Sequence, residues 1–252
     1  MRLHRLIFRL DFQGPSFEII DAPGKVMKLL SEMGQEKQYW PEFQDSVNSR
    51  IITVQAVDEK DWVFRQFSSE PTEMNFVFES ARGLTLDSFE SDMTLTTLFR
   101  GINALCDEFK IEKFARAGLR MFVLGTVPTD DADKTLLAKF ESFFDKNLIE
   151  SIGSRLGRIR DLALVLEGDE ADRLHYRFWA GPYSSSEAKK YFASQTIKGM
   201  DELGVSANFI SDIDFSELNF AMTVRPLQWC RGPIAKAKKI LEDIENILAK
   251  AN

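Results

Sequence analysis

Apolar and polar residues alternate along the start of the chain, with Leu6, Phe8, Leu10 and Phe12 against Arg5, Ile7, Arg9 and Asp11. A period of two predicts a strand with one buried face. Helical spacing follows, Val26, Leu29, Leu30 and Met33 falling at i, i+3, i+4 and i+7, with Asp21 placed to cap and Pro23 suited to the first turn. Residues 49–80 read as three short strands near Ile51–Val57, Trp62–Phe67 and Asn75–Glu79, an antiparallel meander joined by polar turns. Asp92 is placed to cap the next helix, whose stripe of Leu95, Leu98, Phe99, Ile102, Cys106 and Phe109 is the strongest helical signal in the chain.

That helix runs into Lys113–Gly125, where Ala115, Ala117, Leu119, Met121 and Val123 form one face and Arg116, Gly118 and Arg120 the other. Strand geometry separates the two arginines by roughly 13 Å, enough to flank something lying over Gly118. The acidic, turn-rich run T-V-P-T-D-D-A-D follows. Beyond it come a helix with Leu137, Phe140, Phe144 and Leu148, and a hairpin of Arg160–Glu167 and Leu174–Ala180 around G-D-E-A-D. A helix over about Ser185–Leu203 is next, then strand from Phe209 to Val224 with a break expected at Phe215–Glu217, and a last helix from Ile234 to Lys250.

Strand, helix, antiparallel strands, helix therefore occurs twice. The pattern predicts an α+β fold, antiparallel sheets with helices packed on one side, arranged either as two similar halves at 1–125 and 126–252 or as one compact domain.

Composition narrows the function classes. Of 252 residues, 44% are hydrophobic and 28% charged, and 21 phenylalanines supply core material, so a folded protein is expected. A net charge of −7 opposes whole-protein attraction to nucleic acid or anionic lipid. Cys106 and Cys230 have neither disulfide-framework nor zinc-cage spacing, which fits a reducing cytoplasm. The Arg-rich start carries Asp11 and lacks an apolar core, so it reads as mature structure, and no run approaches a membrane span.

Alternation collects Arg5, Arg9, Arg116, Arg120, His175, Arg177, Trp179, Asn219 and Arg225 on strand faces opposite the apolar ones, together with Asp212 and Asp214. Arginine presents a planar fork that matches carboxylate or phosphate, so such a face is a candidate anion-recognition surface. The competing reading is that Asp212 and Asp214 simply neutralise Arg116 and Arg120 across the sheet. Gly118 marks either a bulge, a close backbone approach or a binding position.

Other motifs carry little. Ser186 to Lys189 spells S-x-x-K, but S-D-N and K-T-G are missing and Ser184 with Glu187 forms a capping box. Asp212, Asp214 and Glu217 offer a D-x-D cation pattern without a second carboxylate cluster. His4 and His175, the only histidines, have no i, i+4 partner. Phosphate-loop and dinucleotide glycine motifs are absent, and G-S-R-L-G from Gly153 reads as a helix end. No cofactor or metal is therefore expected.

The strand at Arg116, Gly118, Leu119 and Arg120 resembles the R-x-G-L-R-Y-x-N hallmark of a sporadically distributed bacterial family of uncharacterised cytoplasmic proteins. Met121 stands where that family has the aromatic residue and Val123 where it has asparagine. The resemblance implies a compact duplicated α+β body and supplies no catalytic residues. The leading expectation is a non-catalytic interaction protein that recognises an acidic protein segment or small anionic ligand through Arg5, Arg9, Arg116, Gly118, Arg120, Arg177 and Trp179. The alternative is an enzyme acting on a phosphorylated or carboxylated small molecule.

Overall fold

A computed structural model describes residues 1–33, 42–46, 51–58, 62–89, 91–127, 132–157, 159, 161–171, 173–183 and 189–250. Strand β1 (Arg2–Phe12) and helix α1 (Pro23–Met33) lead into four strands, β2 (Glu42–Ser46), β3 (Ile51–Asp58), β4 (Val63–Glu70) and β5 (Glu73–Leu84). Helix α2 (Met93–Glu108), β6 (Phe114–Gly125), α3 (Ala132–Glu141) and α4 (Lys146–Leu156) follow. The chain closes with β7 (Leu164–Glu170), β8 (Leu174–Pro182), α5 (Ser194–Glu202), β9 (Phe209–Leu218) and α6 (Pro226–Lys250).

The nine strands among the described residues form one sheet in the order β2-β3-β4-β5-β1-β6-β9-β8-β7. Every pairing is antiparallel. The α+β expectation holds, and the sheet runs unbroken through the β1–β6 pair. Outward from that pair the order is β1-β5-β4-β3-β2 on one side and β6-β9-β8-β7 on the other, so the first four strands follow a like order in both directions and β2 extends one of them.

One face is packed because its alternation delivers bulk. Leu6, Phe8 and Leu10 of β1, Leu119 and Met121 of β6, and Ile213 and Phe215 of β9 lie in one buried cluster with Leu98, Phe99 and Ile102 of α2 and Ala237, Leu241 and Ile244 of α6. Phe8 meets Phe99 edge-on at 5.4 Å and Phe140 of α3 stacks on Phe209 at 6.1 Å. Fully burying a side chain of this size contributes roughly 1.5–3 kcal/mol, so this layer dominates stability. Asp92 caps α2 as expected, its carboxylate accepting from the Leu95 N–H at 2.9 Å. Cys106 and Cys230 belong to the same core; burial pushes the Cys106 thiol up to about 12 and holds the Cys230 thiol well above its usual range, which disfavours the thiolate in both.

Several boundaries differ from expectation for local reasons. The helix drawn through Leu137 and Leu148 is two, because Asp145 caps a new one by accepting from the Leu148 N–H at 3.0 Å. Helix α6 begins at Pro226 and continues through Pro233, where the sequence predicted a start at Ile234; burial of Pro226, Cys230 and Pro233 offsets the hydrogen bond that an internal proline removes. Strand β9 is unbroken across Phe215–Glu217 and stops at Leu218, where Asn219 turns to φ 55. Strand β7 runs on through Gly168, Asp169 and Glu170, and β2 was not anticipated. The Ser184–Glu187 capping box and Ser186 lie outside the described residues, and the helix expected over Ser185–Leu203 is broken at Phe192–Ala193 before α5.

Helix α5 adds to the one-sided picture. The main helices share the packed face, whereas α5 lies against the opposite face, where Met200 joins Ala81, Phe122, Leu124, Phe192 and Ile210 in a second, smaller cluster. Residues 189–208, on the way from β8 to β9, thus cover one end of the face that the sequence left bare.

Candidate functional site

Cross-strand register sorts the face away from the main helices into rows. One row runs Phe64, Glu79, Arg5, Phe122, Asp212, Trp179, Val165. The next runs Gln66, Val77, Ile7, Arg120, Asp214, Arg177, Glu167, and the third Ser68, Asn75, Arg9, Gly118, Ser216, His175, Asp169. Glu70, Glu73, Asp11 and Arg116 begin a fourth. Arg5, Arg9, Arg116, Gly118, Arg120, Arg177 and Trp179 therefore do share one face. Asn219 and Arg225 do not: Asn219 follows the end of β9, and Arg225 precedes α6 and pairs with Asp107 at 3.0 Å.

The first row is under cover. Glu79, with a side chain only 2% exposed, lies 3.1 Å from the Arg5 guanidinium. Its carboxylate also accepts from the Ala193 N–H at 2.8 Å and the Thr196 hydroxyl at 2.7 Å, so a strand residue caps the start of α5. Arg5 donates to the Tyr191 carbonyl and lies over the Phe122 ring, 5.6 Å from its centroid. Burial lowers the Arg5 pKa, and the charge of Glu79 opposes that fall. Trp179 packs at the edge of the second apolar cluster, which includes Phe122 and Phe192. Arg5 and Trp179 belong to the covered end, not to an open arginine surface.

Beyond the cover, carboxylates meet the arginines at graded distances. Arg120 grips Asp212 with both arms, at 2.8 Å from Nε and 2.6 Å from Nη2, and this bond raises the Arg120 pKa. Arg9 pairs with Asp11 at 2.5 Å and Glu73 at 2.7 Å. Arg177 lies 3.9 Å from Glu167. Arg116 is held most loosely of the central arginines, 3.8 Å from Asp11 on one side and 3.8 Å from Asp214 on the other. Asp214 itself is raised in pKa, chiefly by desolvation, against the pull of Arg116 and Arg120.

Gly118 is neither a bulge nor a close backbone contact, since β6 stays in register with β9 from Arg116 to Gly125. A Cβ there would meet the Arg116 guanidinium first, at 3.7 Å. The missing side chain makes a shallow place into which Arg116 folds. The D-x-D pair does not converge on an ion: Asp212 is taken by Arg120 and Asp214 faces Arg116. No group of three or more His, Cys, Asp or Glu among the described residues is placed to hold a metal.

Concave space lies elsewhere. A cavity of about 520 Å³ between the β7–β8 turn and α6 is lined by Asp169, Glu170, Tyr176, Phe215, Lys236 and Ile240 among others, and one of about 370 Å³ includes Glu170, Arg173, Glu217 and Trp229. A third, of about 290 Å³, opens where β1 begins. Arg116 and Arg120 line none of the three.

Sequence reasoning missed Glu79, Tyr191 and Phe192. A signal for Glu79 existed: it is the one carboxylate in the apolar run Asn75 to Ala81, at a parity that faces Arg5. Nothing local announced that residues 191–192 fold back over it.

No family model matches the chain, and no curated protein matches it. One solved structure is similar, the crystal structure of the di-domain ARO/CYC BexL from the BE-7585A biosynthetic pathway, at 10% identity over 100% of this chain and 98% of that one, with a TM-score of 0.22. A likeness that weak carries no argument about this chain. No helix among the described residues is long and apolar enough to cross a membrane.

Proposed function

We propose that this chain is a non-catalytic interaction protein that receives an acidic side chain of a partner on the open part of its sheet face, at Arg116. The observation that carries the reading is the geometry of Arg116, which lies at ion-pair but not hydrogen-bond distance from two carboxylates, Asp11 and Asp214 at 3.8 Å each. An incoming carboxylate that seats bidentately on that guanidinium gains a bond its present neighbours do not make.

Recognition on this face is local. Arg5, Arg9, Arg116, Arg120 and Arg177 share it with Asp11, Glu73, Glu79, Glu167, Asp169, Asp212 and Asp214, so its acids outnumber its arginines and no long-range positive field draws an anion in. A fitting partner segment sets its carboxylate on Arg116 and offers a donor to Asp214 or Asp11 beside it. Catalysis on a phosphorylated or carboxylated molecule would call for the arginines and an acid around a cavity; an open face favours binding. The resemblance of the Arg116 strand to the sporadically distributed bacterial family belongs to the same reading. So do a cytoplasmic location and an origin by duplication of a strand-helix-strands-helix unit.

The test is a titration of a fluorescently labelled peptide of alternating glycine and glutamate, followed by anisotropy at low salt. Arg116→Ala should weaken binding about tenfold, some 1.4 kcal/mol, while Lys25→Ala, on α1 at the packed side of the sheet, leaves it unchanged. Equal binding by wild type and Arg116→Ala, or none by either, sinks the reading.

A further inference from the structure

We propose that the cavity where β1 begins and β5 and β6 end is a binding site for a small oxyanion, a phosphate group or a carboxylate. It encloses about 290 Å³ and its wall includes Arg2, His4, Arg82, Thr126 and Ser206. Among the described residues, no aspartate or glutamate lines it. The two other cavities each carry carboxylates in their walls, Glu170 with Asp169 in one and Glu170 with Glu217 in the other. In a chain of net charge −7, where the sheet-face arginines each have a carboxylate within 4 Å, two arginines around an acid-free hollow are the exception.

Neither arginine is spent on an acid. Arg2 donates through Nη2 to the Gly83 carbonyl at 2.9 Å, which anchors the guanidinium and leaves its other N–H groups for a ligand. Arg82 is exposed and makes no ion pair with a described residue. The volume sits at the lower end of small-molecule pockets, so it suits a phosphate group or a compact acid rather than a nucleotide.

His4 gives the site a built-in reporter. Its Nδ1 lies 3.0 Å from the Ser80 carbonyl, which fixes the proton on Nδ1 and leaves Nε2 as the basic atom. The charged groups around the ring are Arg2 on its own strand and Arg82 lining the same cavity from β5; the covering segment presents the Phe192 ring edge-on at 6.4 Å, and β6 contributes Leu124. Burial drives the His4 pKa down to about 4, the Ser80 bond opposes this, and the charge of Arg2 lowers it further. An oxyanion seated between the arginines offsets their charge and makes protonation of His4 easier.

The site is independent of Arg116 and is tested separately. With only His4 and His175 in the chain, both imidazoles can be followed by NMR through pH titrations at constant ionic strength, with inorganic phosphate in one arm and chloroacetate, whose carboxylate stays ionised at these pH values, in the other. The expected result is a saturable rise of about one pH unit in the His4 midpoint with no matching change at His175. Arg82→Ala, an exposed change that leaves the fold intact, should weaken the saturable response at least about tenfold. A stronger response to phosphate assigns a phosphate group, and a stronger response to chloroacetate assigns a carboxylate. No saturable shift with either anion, a parallel shift of His175, or an unaltered response in Arg82→Ala would overturn the proposal.

Discussion

Arg5 and Arg116 occupy the same kind of position, each on one of the two central strands, on the face away from the main helices, with carboxylates on neighbouring strands. Arg5 lies under the crossover residues 189–208 with Glu79, which is 2% exposed and hydrogen-bonded to the start of α5. Arg116 faces Asp214, 39% exposed, across 3.8 Å. Alternation placed the same residue types at both ends, and the crossover decided what they do. Under cover a charge needs an opposite charge beside it, because an unpaired buried ion costs several kcal/mol; in the open, water screens the pair and a loose fit is tolerated.

The largest expected break in this contrast is Glu79→Ala. It strands Arg5 under the crossover and removes the acceptor for Ala193 and Thr196, and should cost about 3–5 kcal/mol by denaturant unfolding. Glu79→Gln keeps an acceptor and should lose less.

Acid should probe the same end through His4. Its folded pKa, about 4, lies below the usual 6.5, so the unfolded chain binds the proton more readily between those values. The stability that neutral His4 contributes is present in full above pH 6.5 and is lost as pH falls through about 4, up to roughly 3 kcal/mol. Subtracting the same pH series measured on His4→Gln isolates this from the carboxylates. A difference that stays flat from pH 7 to 4 contradicts the buried, neutral ring.

Glycines give a third contrast. A Cβ at Gly199 of α5 would fall 2.5 Å from Trp62 Cγ, whereas at Gly118 it meets only the Arg116 guanidinium at ordinary contact distance. Gly199→Ala should destabilise by about 1–3 kcal/mol, since the clash is with the root of the indole rather than a flexible tip. Gly118→Ala should change stability by less than about 1 kcal/mol, in the stabilising direction expected of alanine over glycine in a strand. Thermal melts of the two variants check both.

How much of this was legible in the sequence depends on what each residue answers to. Leu6, Phe8 and Leu10 answer to their own alternation, so the strand and its buried face could be read directly. Asp92 answers to its own helix, and its cap was readable for the same reason. The common face of Arg5, Arg9, Arg116, Arg120 and Arg177 followed from parity alone. Its division into a covered and an open end did not, because it depends on Tyr191, Phe192 and α5 returning over a strand more than a hundred residues earlier. Pro233 misled in the opposite sense: it is a local breaker, overruled by the burial of the turn around it.

Double-mutant cycles on Arg5–Glu79 and Arg116–Asp214, run side by side by denaturant unfolding, test most directly that the covered charges hold the fold and the open ones are available to a partner. A coupling of about 2–3 kcal/mol for the first pair and less than about 0.5 kcal/mol for the second is the predicted result. Equal couplings, or a stronger one at Arg116–Asp214, would show that the open arginine is architecture and contradict the account.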